Sequence, residues 1–193
     1  MNILVLNSGS SSLKYSLLTI ESRLCRISGL IERIGEAQSQ HHYRMGNQNP
    51  QHETLPIQDH AAALQRVFAN LQSDFDSPSL DCIAHRVVHG GERFRQPHLI
   101  DDELITSIRE LIPLAPLHNP ANVLGIEEAR RLLPDVPQVA VFDTAFHHSL
   151  PEYAYRYALP GYLYRDHAVR RYGFHGSSHR YVASQAADYL QKP

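Results

Sequence analysis

At 193 residues the chain can bury one sizeable core, or one domain and the start of a second, so it is not a peptide-sized binding module. A formal charge of −2, with 42% hydrophobic and 20% charged residues, gives no field for gathering nucleic acid or anionic lipid. No apolar run approaches the roughly 20 residues of a membrane helix, and the short first one lacks a basic leader and a small-residue cleavage site. The expectation is therefore a cytoplasmic protein with neither membrane nor nucleic acid as partner. Cys25 and Cys82 lie far apart, with no Cys or His at metal-ligand spacing, and read as two buried thiols.

The first third reads as strands. The run NILVLN suits a buried central strand, LKYSLLTI follows after a small-residue turn, and CRISGLIERI and HHYRMGNQ continue an antiparallel meander. The period then changes. DHAAALQRVFANLQS places Leu64, Val67, Phe68 and Leu71 on one helical face, with Asp59 as N-cap. DCIAHRVVHGG returns to a buried strand ending in a double-glycine turn, and FRQPHLI is a short strand. DDELITSIRELI is an amphipathic helix with acids in its first turn and Arg109 late, as the helix dipole favours. Asn119 and Pro120 cap and open a helix whose Val123, Ile126, Ala129 and Leu133 share a face. PQVAVFDTAFH is a second buried strand ending on an acid. In RRYGFHGSSHRYVASQAADYL a Gly/Ser turn feeds a last helix that carries Val182, Ala186 and Tyr189 inward. Strands first, then helices alternating with single buried strands, give an α/β fold with a mixed sheet, whose strand-end polar residues converge at one edge.

Four segments carry candidate chemistry. From Asn7 to Lys14 a strand ends in small residues, so that backbone N–H groups approach an anion closely while Lys14 adds a point charge; a serine-rich hairpin turn is the alternative. It is not a Walker loop, because the glycine–lysine spacing is absent and a strand follows. In HRVVHGGERF, Arg86 lies inside an apolar run, where a guanidinium needs a carboxylate or phosphate; a structural salt bridge and an anion site both satisfy it. His85 and His89 read as satisfied scaffold histidines. In VAVFDTAFHH, Asp143 stands at a strand's carboxyl end, suited to directing magnesium or an acceptor, or to capping the next segment, and His147 and His148 read as surface. In YGFHGSSH, His175 precedes a helix opening that favours negative charge, with His179 in the first turn and Ser177 or Ser178 as cap. A small-residue turn with lysine, a buried arginine, a strand-end aspartate and a glycine-flanked histidine are together what phosphoryl transfer requires.

The stretches NSGSSSLKY, HRVVHGGERF, PLAPLHNPANVLGI, VFDTAFH and YGFHGSSHRYV resemble, in order and spacing, the acetate kinase family, the acetate/propionate/butyrate kinase group of the actin-like ATPase superfamily. The resemblance runs almost the whole chain. It implies a ribonuclease H-like (actin-like ATPase) domain with a mixed five-stranded sheet flanked by helices over 1–148, and the beginning of a second, similar, nucleotide-binding domain over 149–193. It implies transfer of the ATP γ-phosphoryl group to acetate, giving acetyl phosphate and ADP, with Mg2+, or Mn2+ in its place, and a homodimer in the full-length protein. By the same resemblance Asn7 binds the metal, and Ser10, Ser12 and Lys14 form the phosphate loop. Arg86, Asp143 and His175 are catalytic, Arg86 also holding the substrate anion, and Val88, Leu117 and Phe174 form an acyl pocket with His118 nearby. Family members run to roughly twice this length, which suits two domains. The expectation is an N-terminal piece lacking the nucleotide pocket and inactive alone; the alternative is a short non-catalytic module that binds an anion or a partner.

Overall fold

β1 (Asn2–Ser8) alternates buried Leu4, Leu6 and Ser8 with half-buried Ile3, Val5 and Asn7, the period of two expected of a strand with unequal faces. This computed structural model describes residues 1–73 and 80–192. A turn at 9–11 returns the chain antiparallel into β2 (Ser12–Thr19), and β3 (Leu24–Glu32), β4 (Ser39–Met45) and β5 (Gln51–Leu55) complete the meander. α1 (His60–Ser73) starts where expected: Ala62 N–H donates to the Asp59 carboxylate at 2.8 Å. β6 (Cys82–Val87) lies parallel to β1, followed by the short β7 (His98–Leu99) and by α2 (Asp102–Glu110), whose N-cap Asp101 accepts from Leu104 N–H. After α3 (Asn119–Leu132), β8 (Gln138–Phe142) pairs in parallel with β6. The chain ends in α4 (Glu152–Tyr155), α5 (Gly161–His167) and α6 (Gly176–Leu190).

Among the described residues the sheet has eight strands in the order β5-β4-β3-β2-β1-β6-β8-β7. The expected five are its heart, β3-β2-β1-β6-β8. The count rises because the meander continues outward through β4 and β5 and a two-residue strand pairs with the far edge. α1, α2 and α3 cover one face, against Leu4, Leu6, Ile83, Val87, Ala140 and Phe142, all nearly or fully buried. Burying each such leucine, isoleucine or phenylalanine contributes about 1.5–3 kcal/mol. Gly125 lets α3 approach β1 closely, since a Cβ there would come within 2.9 Å of Ser8 Cβ. By alternation, the opposite face carries Asn7, Lys14 and Arg86. No helix among the described residues is long and apolar enough to cross a membrane.

Several expectations are corrected. Cys25 is exposed, because a register shift between Leu17 and Leu18 sets it opposite Leu18, on the face away from the helices, and Cys82 is only half-buried. Asn119 is the first residue of α3, not its cap, and its amide is used elsewhere. Ser177 and Ser178 lie within α6, whose cap position is His175. Val182, Ala186 and Tyr189 are exposed: α6 touches β8 and the turn at 145–149 at its start, and nothing among the described residues covers its apolar stripe.

Candidate active site

β1, β6 and β8 are parallel neighbours, so their carboxyl ends open on one edge of the sheet, and each carries a polar group at or beside that end. β1 ends in the turn at 9–11, β6 carries Arg86 one residue before its end, and Asp143 directly follows β8. Cross-strand register sets Asn7 opposite Lys14, and Lys14 opposite Leu30. These residues line an open cavity of about 710 Å³ together with Ser12, Val88, Leu117, His118, Phe174 and His175.

Arg86 is its centre. Its guanidinium donates to both oxygens of Asp143, at 2.6 Å from Nη2 and 3.1 Å from Nε, and to Asn7 Oδ1 at 3.3 Å. The His175 Nδ1 stands 3.3 Å from Nη2. Asp143 is 2% exposed and Arg86 34%, so one end of the ion pair is desolvated while the other faces the cavity. Hydrogen bonding to Asp143 raises the Arg86 pKa further, keeping the cation fixed. The ion-pair reading of Arg86 is what the structure shows, and the part of its guanidinium that stays exposed faces the cavity. Asp143 does not cap the following turn; Thr144 occupies that position, with its hydroxyl accepting from Gly90 N–H at 3.0 Å.

His175 sits in the left-handed region, φ 53° and ψ 32°, a conformation that costs a non-glycine residue energy and recurs at functional sites. It is held there by its neighbours. Gly176 N–H donates to the Asp143 carbonyl at 2.9 Å, and the His147 ring bonds the Phe174 carbonyl at 3.0 Å, so His147 is an anchor for this segment and not merely surface. Leu117 is 77% exposed and Phe174 40%, leaving the apolar wall beside Val88 open. Ser10 stands exposed at the tip of the turn and does not line the cavity.

The positioning roles of three residues escaped the sequence reading. The His60 Nε2–H donates to the Gly9 carbonyl at 2.7 Å, pinning the turn. Because a trans peptide points its C=O and N–H in opposite directions, this also orients the Ser10 N–H. Asn122 accepts from Val88 N–H at 3.0 Å and donates to the Ser8 carbonyl at 2.8 Å, stitching the ends of β6 and β1. Asn119 brackets His89 similarly, through N–H at 3.2 Å and carbonyl at 3.1 Å. Two amides one turn apart on the otherwise apolar buried face of α3 were the available signal. His85 and His89 are scaffold, as expected: both are buried, His85 pairs with Gln138 at 2.8 Å, and burial pushes each pKa down to about 4.

Among the described residues no group of three or more His, Cys, Asp or Glu side chains could hold a metal by itself. The oxygens of Asn7 and Asp143 nevertheless suit a hard cation such as Mg2+, which commonly takes one or two protein oxygens, with phosphate and water completing its shell.

The model of the acetokinase family matches residues 2–193. An acetate kinase of Arthrobacter sp. (strain FB24) is 53% identical over 194 residues, covering 100% of this chain and 48% of that protein. A crystal structure of Porphyromonas gingivalis acetate kinase superposes with a TM-score of 0.93 at 42% identity, over 100% of this chain and 49% of that one. A propionate kinase from Francisella tularensis subsp. tularensis SCHU S4 superposes with a TM-score of 0.94 at 38% identity, over 99% and 49%. The chain spans about half the length of the curated relatives it matches. It belongs to the acetokinase family.

Proposed function

We propose that this chain supplies the acyl-phosphate half of a Mg2+-dependent ATP:acetate phosphotransferase, which moves the ATP γ-phosphoryl group to acetate and gives acetyl phosphate and ADP, reversibly. The observation that carries the reading is the meeting of Asn7, Asp143 and His175 around one guanidinium, beside the Lys14 turn. A carboxylate acceptor is already ionised at neutral pH, so no general base is required. An acetate oxygen attacks the γ-phosphorus in line, the bond from that phosphorus to the β–γ bridging oxygen breaks, and ADP leaves with the electron pair. Arg86 holds the acyl-phosphate anion, His175 donates to the equatorial oxygens as charge develops, and each such donor is worth about 2.7–4 kcal/mol. Asp143 orients Arg86 and the acceptor. Ser12, Lys14 and the backbone N–H groups around Ser10 cradle phosphate oxygens. Asn7 and Asp143 would hold a bound Mg2+, which would supply positive charge against the phosphate oxygens.

Val88, Leu117 and Phe174 make a small apolar wall for the acyl methyl group, with His118 alongside. Acetate and propionate differ there by one methylene, worth about 1–3 kcal/mol, and the Val88 side chain favours acetate. Residues 1–148 form the first domain and 149–193 open the second; the exposed stripe of α6 supports that division. The nucleotide pocket and the homodimer contact belong to the remaining half, and the protein works in the cytoplasm.

Hydroxamate trapping of acetyl phosphate tests this. The chain alone is expected to be silent, and ATP- and acetate-dependent hydroxamate to appear when the C-terminal half of an acetokinase relative is fused to it. No product from a correctly folded fusion would leave the non-catalytic module as the reading.

A further inference from the structure

The row of residues that enters the cavity continues past it. On the same face of the sheet Leu30 stands opposite His42, and His42 opposite His52, at the exposed hairpin of β4 and β5. The two Nδ1 atoms lie 3.0 Å apart, and the ring centres 4.2 Å apart with planes inclined at 33°. A head-on N–H···N bond would add a ring radius at each end of the 3.0 Å line and set the centres farther apart than that. The rings instead lie side by side, with both Nδ1 atoms on the near edge.

We infer that His42 and His52 form a cross-strand chelate for a late divalent transition ion of the Cu2+ or Ni2+ class. Metal–imidazole bonds run to about 2.0–2.1 Å, so donors 3.0 Å apart subtend about 91–97° at the ion. That is the cis angle of a tetragonal or square-planar centre; a tetrahedral ion would need its donors about 3.3–3.4 Å apart. Thr54 Oγ1 stands 3.4 Å from His52 Nε2 and can accept its hydrogen, the tautomer that leaves the Nδ1 lone pair for an ion. Both rings are exposed, so the remaining positions are filled by water, and the pairing of β4 with β5 holds the two donors in place before the ion arrives.

The experiment titrates the 193-residue chain with CuSO4, and in parallel NiCl2, by calorimetry and electron paramagnetic resonance, with paramagnetic broadening of backbone amide signals to locate the ion. The chain has 13 histidines, so location matters as much as stoichiometry. One equivalent of Cu2+ should bind first, show coupling to two nitrogens, and broaden amides around residues 42 and 52. His42→Asn and His52→Asn should each weaken that equivalent by at least about tenfold, because the second donor acts at a high effective concentration, and the double variant should be little worse than either. Undiminished binding in a single variant, coupling to one nitrogen, or broadening that begins elsewhere would overturn the inference. Should His42→Asn perturb the hairpin, as circular dichroism would report, His52→Gln gives the same decision from the edge strand.

Discussion

Gly176→Ala should open the active site while leaving the fold nearly as stable. Gly176 is buried at the first position of α6, and a Cβ there would lie 2.8 Å from Phe146 Cβ, 3.2 Å from the Asp143 carbonyl carbon, and closer still to its oxygen. The obstacle is backbone, so no rotamer change relieves it. Restoring ordinary contact of 3.4 Å requires the helix start to withdraw by at least about 0.6 Å from Phe146 Cβ, and by more from the Asp143 carbonyl oxygen. His175 moves with it, and its 3.3 Å approach to Arg86 lengthens beyond hydrogen-bond reach. Overpacking of this kind costs about 1–3 kcal/mol, against which alanine regains up to about 1 kcal/mol of helix propensity. With the full offset the net loss is at most about 2 kcal/mol, or up to roughly 8 °C in Tm for a chain of this size. Misplacing a reacting group by about 1 Å costs on the order of a hundredfold in rate, so the fused enzyme should lose at least about tenfold in kcat. The assays are a thermal melt, the His175 ring signals by NMR, and hydroxamate production by the fusion. Unchanged His175 signals together with wild-type turnover would refute the steric reasoning.

Arg86→Ala strands the Asp143 carboxylate, which is 2% exposed; breaking a buried pair costs about 3–5 kcal/mol, reduced here to about 2 kcal/mol because Arg86 is one-third exposed. A Tm drop of roughly 4–8 °C should accompany weaker acetyl phosphate binding, whereas Asp143→Asn should chiefly lower turnover in the fusion; an unshifted melt in Arg86→Ala would contradict this. Burial holds His41, His85 and His89 at a pKa of about 4, below the unfolded value of about 6.5. Unfolding at pH 4–6.5 therefore takes up protons, and stability that is full above pH 6.5 falls as pH drops, by up to about 1.4 kcal/mol per unit for each histidine. Urea midpoints at pH 7.5 and pH 5 that coincide would show these rings to be protonated in the fold. Ser8 Oγ is buried without a partner, so Ser8→Ala should be neutral or stabilise by up to about 1 kcal/mol. A clear drop in Tm for that variant would mean that the hydroxyl is bonded.

What the sequence disclosed was the chemistry of strand ends, not their adjacency. Asn7 and Asp143 announced themselves as polar groups closing an apolar run and Arg86 as a charge inside one, a local property in each case. Register is non-local, so the row Asn7, Lys14, Leu30, His42, His52 was invisible until strands were paired. β5 escaped notice because an edge strand with only its partner to satisfy needs no apolar alternation, and Gln51–Leu55 has little. The inward stripe expected of α6 failed for the opposite reason: its period is correct, but periodicity names a face and not the surface that covers it.

Asn119 shows how one residue can satisfy a local rule and serve a distant end. Followed by proline at a helix start, it reads as a cap, yet its amide bridges both backbone groups of His89, thirty positions upstream. Together with Asn122 it makes α3 the brace that fixes the ends of β1 and β6 relative to each other. Arg86 then reaches Asp143 from β6 to its parallel neighbour β8, and the Asp143 carbonyl receives the start of α6, which delivers His175. The catalytic geometry proposed here is thus transmitted mostly by backbone hydrogen bonds to asparagine and glycine. Substitutions at Asn119, Asn122 and Gly176 should disturb it without touching any group that meets the substrate.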